Sequence, residues 1–372
     1  MNIRIERRLV PSRTAKYWVP VLSLVLALLA GSILLFAAGA DPWVTYKAMF
    51  IGAFGGKYAF SETLVKAIPL MLCGLGVSVA FRMLFYNIGA EGQLAMGGCA
   101  AAGVALFLPP RFPDLPGWSL IPLMVAAGFI AGGFWGLLPA LLKAFVGANE
   151  VITTLMMNYI AISWVEYLWY GPWKDPKGYG FPGTAQFIKE AWLPRWPGTR
   201  VHLGLAFALI AALLLWIMLS KTKWGYEIRV MGENPRAARY SGICLTRNII
   251  LVMILSGGLA GLAGMAEVAG ISRRLQTGLT VGYGFTAIIV AWMAKLNPWG
   301  VIAVAILLAG LLVGGDQIQI TMGLPAAVGL ILQGLILFFM LGGVLLTEYR
   351  VRLVRRASDL RVSTSDSAGG AA

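Results

Sequence analysis

Ten stretches of this chain are long and apolar enough to be membrane segments, and that limits the fold more than any other feature. They are Trp18–Gly39, Leu64–Ala80, Ile88–Leu108, Leu120–Leu142, Glu150–Tyr170, Val201–Leu219, Ile249–Ala266, Leu279–Ala294, Trp299–Gly315 and Met322–Leu346. Trp18–Gly39 holds no charged residue. At a rise of about 1.5 Å per residue, such a helix crosses a hydrocarbon core of about 30 Å. Composition agrees: 59% of the 372 residues are hydrophobic and 12% charged, against roughly 25% charged in a soluble globule. The expectation is an all-α polytopic membrane protein with about ten transmembrane helices. Eight or nine remain possible, because some segments have the glycines of a broken or re-entrant span. A short, moderately amphipathic piece around Trp43–Phe60 follows the first span.

Net charge is +14, and its placement orients the chain. Arg4, Arg7, Arg8, Arg13 and Lys16 precede the first span; Arg350, Arg352, Arg355, Arg356 and Arg361 follow the last. Basic flanks mark cytoplasmic ends, so both termini are expected inside the cell. The expected organisation is a basic cytoplasmic arm (1–17) and a transmembrane domain (18–346). The domain carries an external loop (171–200) and a cytoplasmic loop (220–247). A tail (347–372) follows, basic and then disordered by composition. Trp18–Gly39 lacks a convincing cleavage site and reads as a retained anchor. Cys73, Cys99 and Cys244 are too scattered for a disulfide framework or metal cluster, and one histidine, His202, is too little for a zinc site or triad. No G-x-x-x-x-G-K-[ST] phosphate loop occurs, so this chain does not hydrolyse ATP by that route. Nucleic-acid binding is excluded for want of a base-reading basic face.

Polar residues inside the spans are the candidates for function. "YNIGAEGQLAMGG" (Tyr86–Gly98) sets Asn87, Glu91 and Gln93 among small residues. A carboxylate in hydrocarbon costs several kcal/mol, so Glu91 must face water, a solute or a hydrogen-bond partner. The glycines allow a broken helix beside a pathway. "NEVITTLMMNYIAISWVEY" opens with Asn149 and Glu150, an N-cap and first-turn acid. It continues with Asn158 and Glu166, eight residues apart and read as sharing a stripe. Glu267 joins the same group. Tyr159, Trp164 and Trp169 could stack on a planar solute or act as interfacial anchors. Gly128, Gly132 and Gly136, with Gly257, Gly261 and Gly264, are spaced for close helix contact. The external loop is rich in Pro, Gly and aromatics, with a short helix expected near Thr184–Ala191, and suits a lid or a docking surface. In "GENPRAARYSGI", Pro235 sits at a helix start and Gly242 at its end, giving a short amphipathic helix suited to a partner groove.

"NIGAEGQLAMGG", "NEVITTLMMNYIA" and "GENPRAARYSGI", in this order, resemble the membrane permease subunit of an ABC importer. The likeness is greatest to the simple-sugar and nucleoside branch served by a basic-membrane-protein-type binding protein. Ribose and branched-chain amino acid permeases are similar at greater distance. "GYGFTAIIVAWMAKLNPWG" (Gly282–Gly300) also fits the family's pattern. The resemblance implies a non-enzymatic inner-membrane subunit that forms the route for nucleosides or simple sugars. Asn87, Glu91, Gln93, Asn158, Glu166 and Glu267 would line or gate that route. Gly232, Glu233, Asn234, Pro235, Arg236, Ala238, Arg239 and Tyr240 would dock on a separate cassette ATPase, which binds ATP and Mg. A second permease, identical or homologous, and an extracytoplasmic substrate-binding lipoprotein complete the set. The alternative is an ion-coupled secondary transporter using Glu91, Glu150 or Glu166.

Overall fold

The computed structural model describes residues 2–7 and 15–354, except 179 and 326. It comprises α1 (Ala15–Ala37), α2 (Pro42–Phe54), α3 (Lys57–Arg82), α4 (Ala90–Arg111), α5 (Leu120–Leu141), α6 (Glu150–Tyr170) and α7 (Gly204–Lys221). These are followed by α8 (Lys223–Glu233), α9 (Pro235–Tyr240), α10 (Leu245–Glu267), α11 (Tyr283–Met293), α12 (Pro298–Met322) and α13 (Ala327–Glu348). Strands β1 (Asn2–Arg7) and β2 (Tyr349–Val354) form an antiparallel ribbon pairing Asn2 with Val354 and Arg7 with Tyr349. Neither strand was expected. The disorder expected of the tail falls beyond residue 354, outside the described residues.

The chain divides into two compact units. One comprises residues 1–42 and 331–372: α1, most of α13 and the ribbon. Gly343 of α13 lies against Val19 and Ser23 of α1 so closely that a β-carbon would crowd both side chains.

The other unit, residues 43–330, holds seven helices long and apolar enough to cross a membrane: α3, α4, α5, α6, α7, α10 and α12. Counting α1 and α2 as one broken span makes eight among the described residues. Two expected spans come out differently. Leu279–Ala294 holds only the 11-residue α11, half the needed length. Met322–Leu346 is interrupted at its start, where Gly323 adopts a left-handed φ of 66° and ends α12.

At the centre of this unit, α3 is buried along nearly its whole length, with Ile68, Leu70, Met71, Leu72 and Leu75 inaccessible. Around it, α4, α5 and α10 pack at backbone contact. A β-carbon on Gly261 would overlap the Gly128 carbonyl, one on Gly132 would overlap the Gly257 carbonyl, and one on Gly264 would overlap the Leu94 carbonyl. Lipid offers little hydrophobic drive between helices, so small residues supply the close van der Waals fit.

Candidate functional site

Between α3 and α4 the helix is broken. Residues 83–89 leave the helix after a tight turn, and Leu84 takes a left-handed φ of 60°. Unwound backbone at this depth must find partners. The amides of Asn87 and Gln93 bond to each other twice: Asn87 Nδ2 donates to Gln93 Oε1 at 3.0 Å, and Gln93 Nε2 donates to Asn87 Oδ1 at 3.1 Å. Asn87 also donates to Ser256 Oγ of α10 at 2.9 Å and accepts from the Gly89 amide at 3.0 Å. From α6, Asn158 donates to the Ile88 carbonyl at 2.7 Å and accepts from the Gly92 amide at 2.8 Å. Thr154 Oγ1 accepts from the Ile88 amide at 3.2 Å.

Glu91 is buried, 1% exposed, and its two oxygens cap another helix. The Gly282 amide donates to Oε1 at 2.8 Å and the Gly284 amide to Oε2 at 2.5 Å. These are orphan donors at the start of α11, where a carboxylate is favoured by both hydrogen bonding and the helix dipole. Only glycine fits at 284, since a β-carbon there would overlap the Glu91 backbone.

The expected Asn158–Glu166 stripe does not form. Asn158 is buried against the break, whereas Glu166 is exposed. Eight residues at 100° each amount to two turns plus 80°, enough to put them on different faces. Glu166 lies instead on the outward face of α6, near a shallow cleft of about 700 Å³ lined by Tyr159, Ile160, Ser163, Trp164 and Tyr167. Trp169 is buried and not available for stacking there. Asn149 caps α6 as expected, accepting from the Val151 and Ile152 amides at 3.0 and 3.3 Å, and Glu150 pairs with Lys143 at 2.7 Å.

Glu267 is nine-tenths buried, with no hydrogen-bond partner among the described residues. Lys66, Arg200 and Tyr283 are the ionisable groups with which it interacts electrostatically. Lys66 forms an ion pair with Asp316 of α12. Sequence reasoning passed over Lys66 and Asp316, although a lysine in "TLVKAIPLML" and an acid in "VGGDQIQI" were both visible as charges within apolar runs. It also passed over Ser256 and Thr154, whose roles depend on what α10 and α6 pack against.

The loop after α6 is stitched onto the end of α10. The Thr184, Phe187 and Leu193 amides donate to the carbonyls of Leu275, Arg273 and Ala269 at 2.8–3.1 Å. The Arg273 guanidinium lies 3.8 Å from the centre of the Trp192 ring. In place of the helix expected near Thr184–Ala191 there is one turn, Lys189–Ala191. His202 is buried under this loop. Its Nδ1 accepts from the Gly204 amide at 3.2 Å, and Nε2 has no partner among the described residues. Burial, and secondarily Arg195, pull its pKa down to about 4.

Between α7 and α10, the expected short helix is α9, with Pro235 first and Gly242 beyond its end at φ 79°. Asn234 caps it, accepting from the Arg236 and Ala237 amides at 3.0 and 3.1 Å. Ala238 is buried beneath, while Tyr240 is 93% exposed. Pro235, Arg236, Arg239, Tyr240 and Leu245 line an open cleft of about 290 Å³. Preceding it, α8 buries Gly225, Ile228 and Met231. Gly232 abuts the Arg82 carbonyl, leaving no room for a β-carbon.

Residues 59–341 match the family described as "Branched-chain amino acid transport system / permease component". The chain belongs to that family. It is the permease subunit of an ABC importer, a non-catalytic, multi-pass inner-membrane protein that works with a separate ATPase; nothing supports the secondary-transporter alternative. It is 35% identical to the glucose ABC transporter permease protein TsgB13 of Haloferax volcanii, over 99% of each chain. It is 34% identical to the guanosine ABC transporter permease protein NupP of Bacillus subtilis, over 92% of this permease and 96% of that one. For the nucleoside ABC transporter permease protein NupB of Lactococcus lactis the figures are 31%, 88% and 91%. Each of these organisms also has a second, similarly named permease that matches less well, at 24–27% identity over 64–72% of this chain. Family membership brings the usual importer partners.

Proposed function

We propose that the permease forms one half of the route for a nucleoside or simple sugar, beside a homologous but different second permease. An extracytoplasmic binding lipoprotein delivers the solute. The observation that carries this reading is α9: a capped, solvent-facing helix with Arg236, Arg239 and Tyr240 outward, seated against α8 and α10. That is the form of a docking element for a soluble motor. The relatives named for glucose, guanosine and nucleosides supply the solute class, and the paired permeases of three organisms favour a mixed pair over two identical copies.

Ten crossings fit this arrangement, with α11 and the stretch before it counted as one broken span. The termini then lie on the cytoplasmic side with α8 and α9, and residues 171–200 lie outside. Within the domains assigned from sequence, 220–247 becomes the coupling loop. Gly232 provides the close seat on α3; Glu233, Asn234 and Pro235 shape the turn; Ala238 anchors α9.

Roles divide among the polar residues. Asn87, Gln93 and Asn158 have their hydrogen bonds taken up by the break and act as gate scaffolding, as does Glu91. Asn149 and Glu150 start α6. The route itself takes Glu166 with Tyr159, Ser163, Trp164 and Tyr167, whose face would otherwise put a carboxylate in lipid. Glu267, beside Tyr283 and the Lys66–Asp316 pair, lines its outer part, with free oxygens for solute hydroxyls. The chain binds no cofactor of its own; ATP and Mg belong to the partner ATPase.

The deciding experiment reconstitutes both permeases, the ATPase and the binding lipoprotein in liposomes and measures uptake of guanosine and of glucose. Uptake of one of them should require ATP, and Arg236→Glu with Arg239→Glu should abolish it and release the ATPase without affecting membrane insertion. Undiminished ATP-driven uptake in that double variant would overturn the docking assignment.

A further inference from the structure

The half-length helix α11 is held at both ends by ionisable side chains from elsewhere in the bundle. Its first turn is capped by Glu91, as described. Its last turn runs into Lys295 and Leu296, two consecutive non-glycine residues with left-handed φ of 50° and 58°. Each such residue costs on the order of 1–3 kcal/mol and persists only where the surroundings enforce it. The turn is closed by the Leu296 amide on the Ala291 carbonyl at 3.0 Å, and Arg82 fastens it from outside. From the end of α3, its guanidinium donates to the Leu296 carbonyl at 2.8 Å. The carbonyl of the same Arg82 is where Gly232 of α8 makes its backbone contact. Arg229 of α8, which donates to the Leu219 carbonyl, is the cation near Arg82.

We propose that α11 is a strut, with Arg82 its lower fastening and Glu91 its upper one, through which movement of α8 and α9 reaches the break between α3 and α4. This deepens the importer reading and rests on it. The line is continuous: Gly232 on the Arg82 backbone, the Arg82 side chain on Leu296, the rigid rod of α11, then the Gly282 and Gly284 amides on Glu91. Eleven residues at about 1.5 Å each span about 16 Å, half a bilayer core. Slack is small at either end, because Gly232 and Gly284 both sit where a β-carbon would collide. At the top, Glu91 is the second residue of α4, so a shift of α11 acts on the start of α4 and on the amide network around Asn87. Arg82 and Glu91 are thus positioning residues for transport, neither touching solute nor nucleotide.

Two measurements test this. In the reconstituted assembly, Arg82→Gln should lower guanosine or glucose moved per ATP hydrolysed by about fivefold or more, the low end of typical coupling factors, with ATPase activity held within about twofold. Arg82→Lys, which keeps a charged donor, should recover most of the ratio. Parallel loss of ATPase and uptake, or no change in either, would overturn the proposal. The second measurement keeps the fastenings intact. After Cys244, the exposed cysteine, is replaced by serine, spin labels are placed at Tyr226 of α8 and Phe285 of α11, with Ile130 of α5 as reference. Between nucleotide-free and vanadate-trapped assemblies, the 226–285 distance should hold within about 2 Å while 130–285 changes more. A larger change between 226 and 285 than between 130 and 285 means there is no strut. These distances do not depend on solute, so an assembly that moves neither guanosine nor glucose would count against the importer reading and leave the strut to be judged by the labels.

Discussion

The break at residues 83–89 and the outward face of α6 both place hydroxyls and a carboxylate within the apolar zone, yet they use them in opposite ways. At the break the amides, the carboxylate and Thr154 are spoken for: Asn87, Gln93, Asn158, Thr154 and Glu91 each bond to a partner on another segment or to unwound backbone. On α6, Glu166 and Ser163 face outward among Tyr159, Trp164 and Tyr167. Glycine separates the two further. It crowds the first region, where Gly92 lies against Asn158 and Gly284 against Glu91, and is absent from α6. In a membrane protein, then, a polar residue in a span is not by itself a sign of a route. Whether its hydrogen bonds are already made is the better guide, since a satisfied network rigidifies and an unsatisfied group must meet water, solute or another chain.

That comparison breaks most easily at Glu91. Glu91→Ala leaves the buried Gly284 amide and the half-buried Gly282 amide without an acceptor, at about 1–3 kcal/mol for a buried group and less for the other, so a loss of about 2–4 kcal/mol is expected. Thermal unfolding in detergent should show a large fall in midpoint or little folded protein. Glu91→Gln, which keeps one acceptor oxygen, should fall between. A Glu91→Ala protein as stable as the unaltered one would mean that the cap does not hold α11.

His202 sharpens the comparison, being satisfied at one nitrogen and orphaned at the other. Its folded pKa of about 4 lies below the ordinary 6.5, so the fold favours the neutral ring. The stability this gives is fully present above about pH 6.5, declines as pH falls, and is gone below about pH 4; at most about 3 kcal/mol is at stake. His202→Asn keeps an acceptor near the Gly204 amide and removes the titration. Its unfolding midpoint should therefore fall less than that of the unaltered protein between pH 7 and pH 4.5. Equal falls would show that His202 does not hold the external loop against acid.

Much of this was legible in the sequence. Hydropathy and caps placed α6 to the residue, and proline and glycine placed the start of α9 and its end to within two residues, because these signals act locally. The glycine rows marked the faces on which α5 and α10 come close to other helices, since spacing four residues apart fixes a helix face, but not that these two meet each other. What depended on distant partners was not legible. The Leu279–Ala294 run is apolar enough to read as a span, and only Glu91, some 190 residues earlier, shows where its helix begins. Glu166 was grouped with Asn158 because both interrupt an apolar run, although 80° of rotation separates them. No pattern near Arg82 names the Leu296 carbonyl as its partner.

The smallest effect on stability is expected at Glu166, and it carries the other half of the comparison. No partner among the described residues holds this side chain, so Glu166→Gln should change the unfolding midpoint by the equivalent of about 0.5 kcal/mol or less, as for an ordinary surface substitution. Transport is where it should matter. A carboxylate that accepts hydroxyl hydrogen bonds from a passing sugar or ribose loses strength on becoming an amide, at about 1 kcal/mol per bond, or about fivefold in apparent KM for uptake. Trp164→Ala, which removes a stacking surface and leaves the helix intact, should raise KM in the same direction. If both variants transport normally, the outward face of α6 is packed against the second permease or lipid. The open route would then have to be sought at Glu267, whose free carboxylate lies beside the Lys66–Asp316 pair, and Glu267→Gln would become the variant expected to carry the KM change.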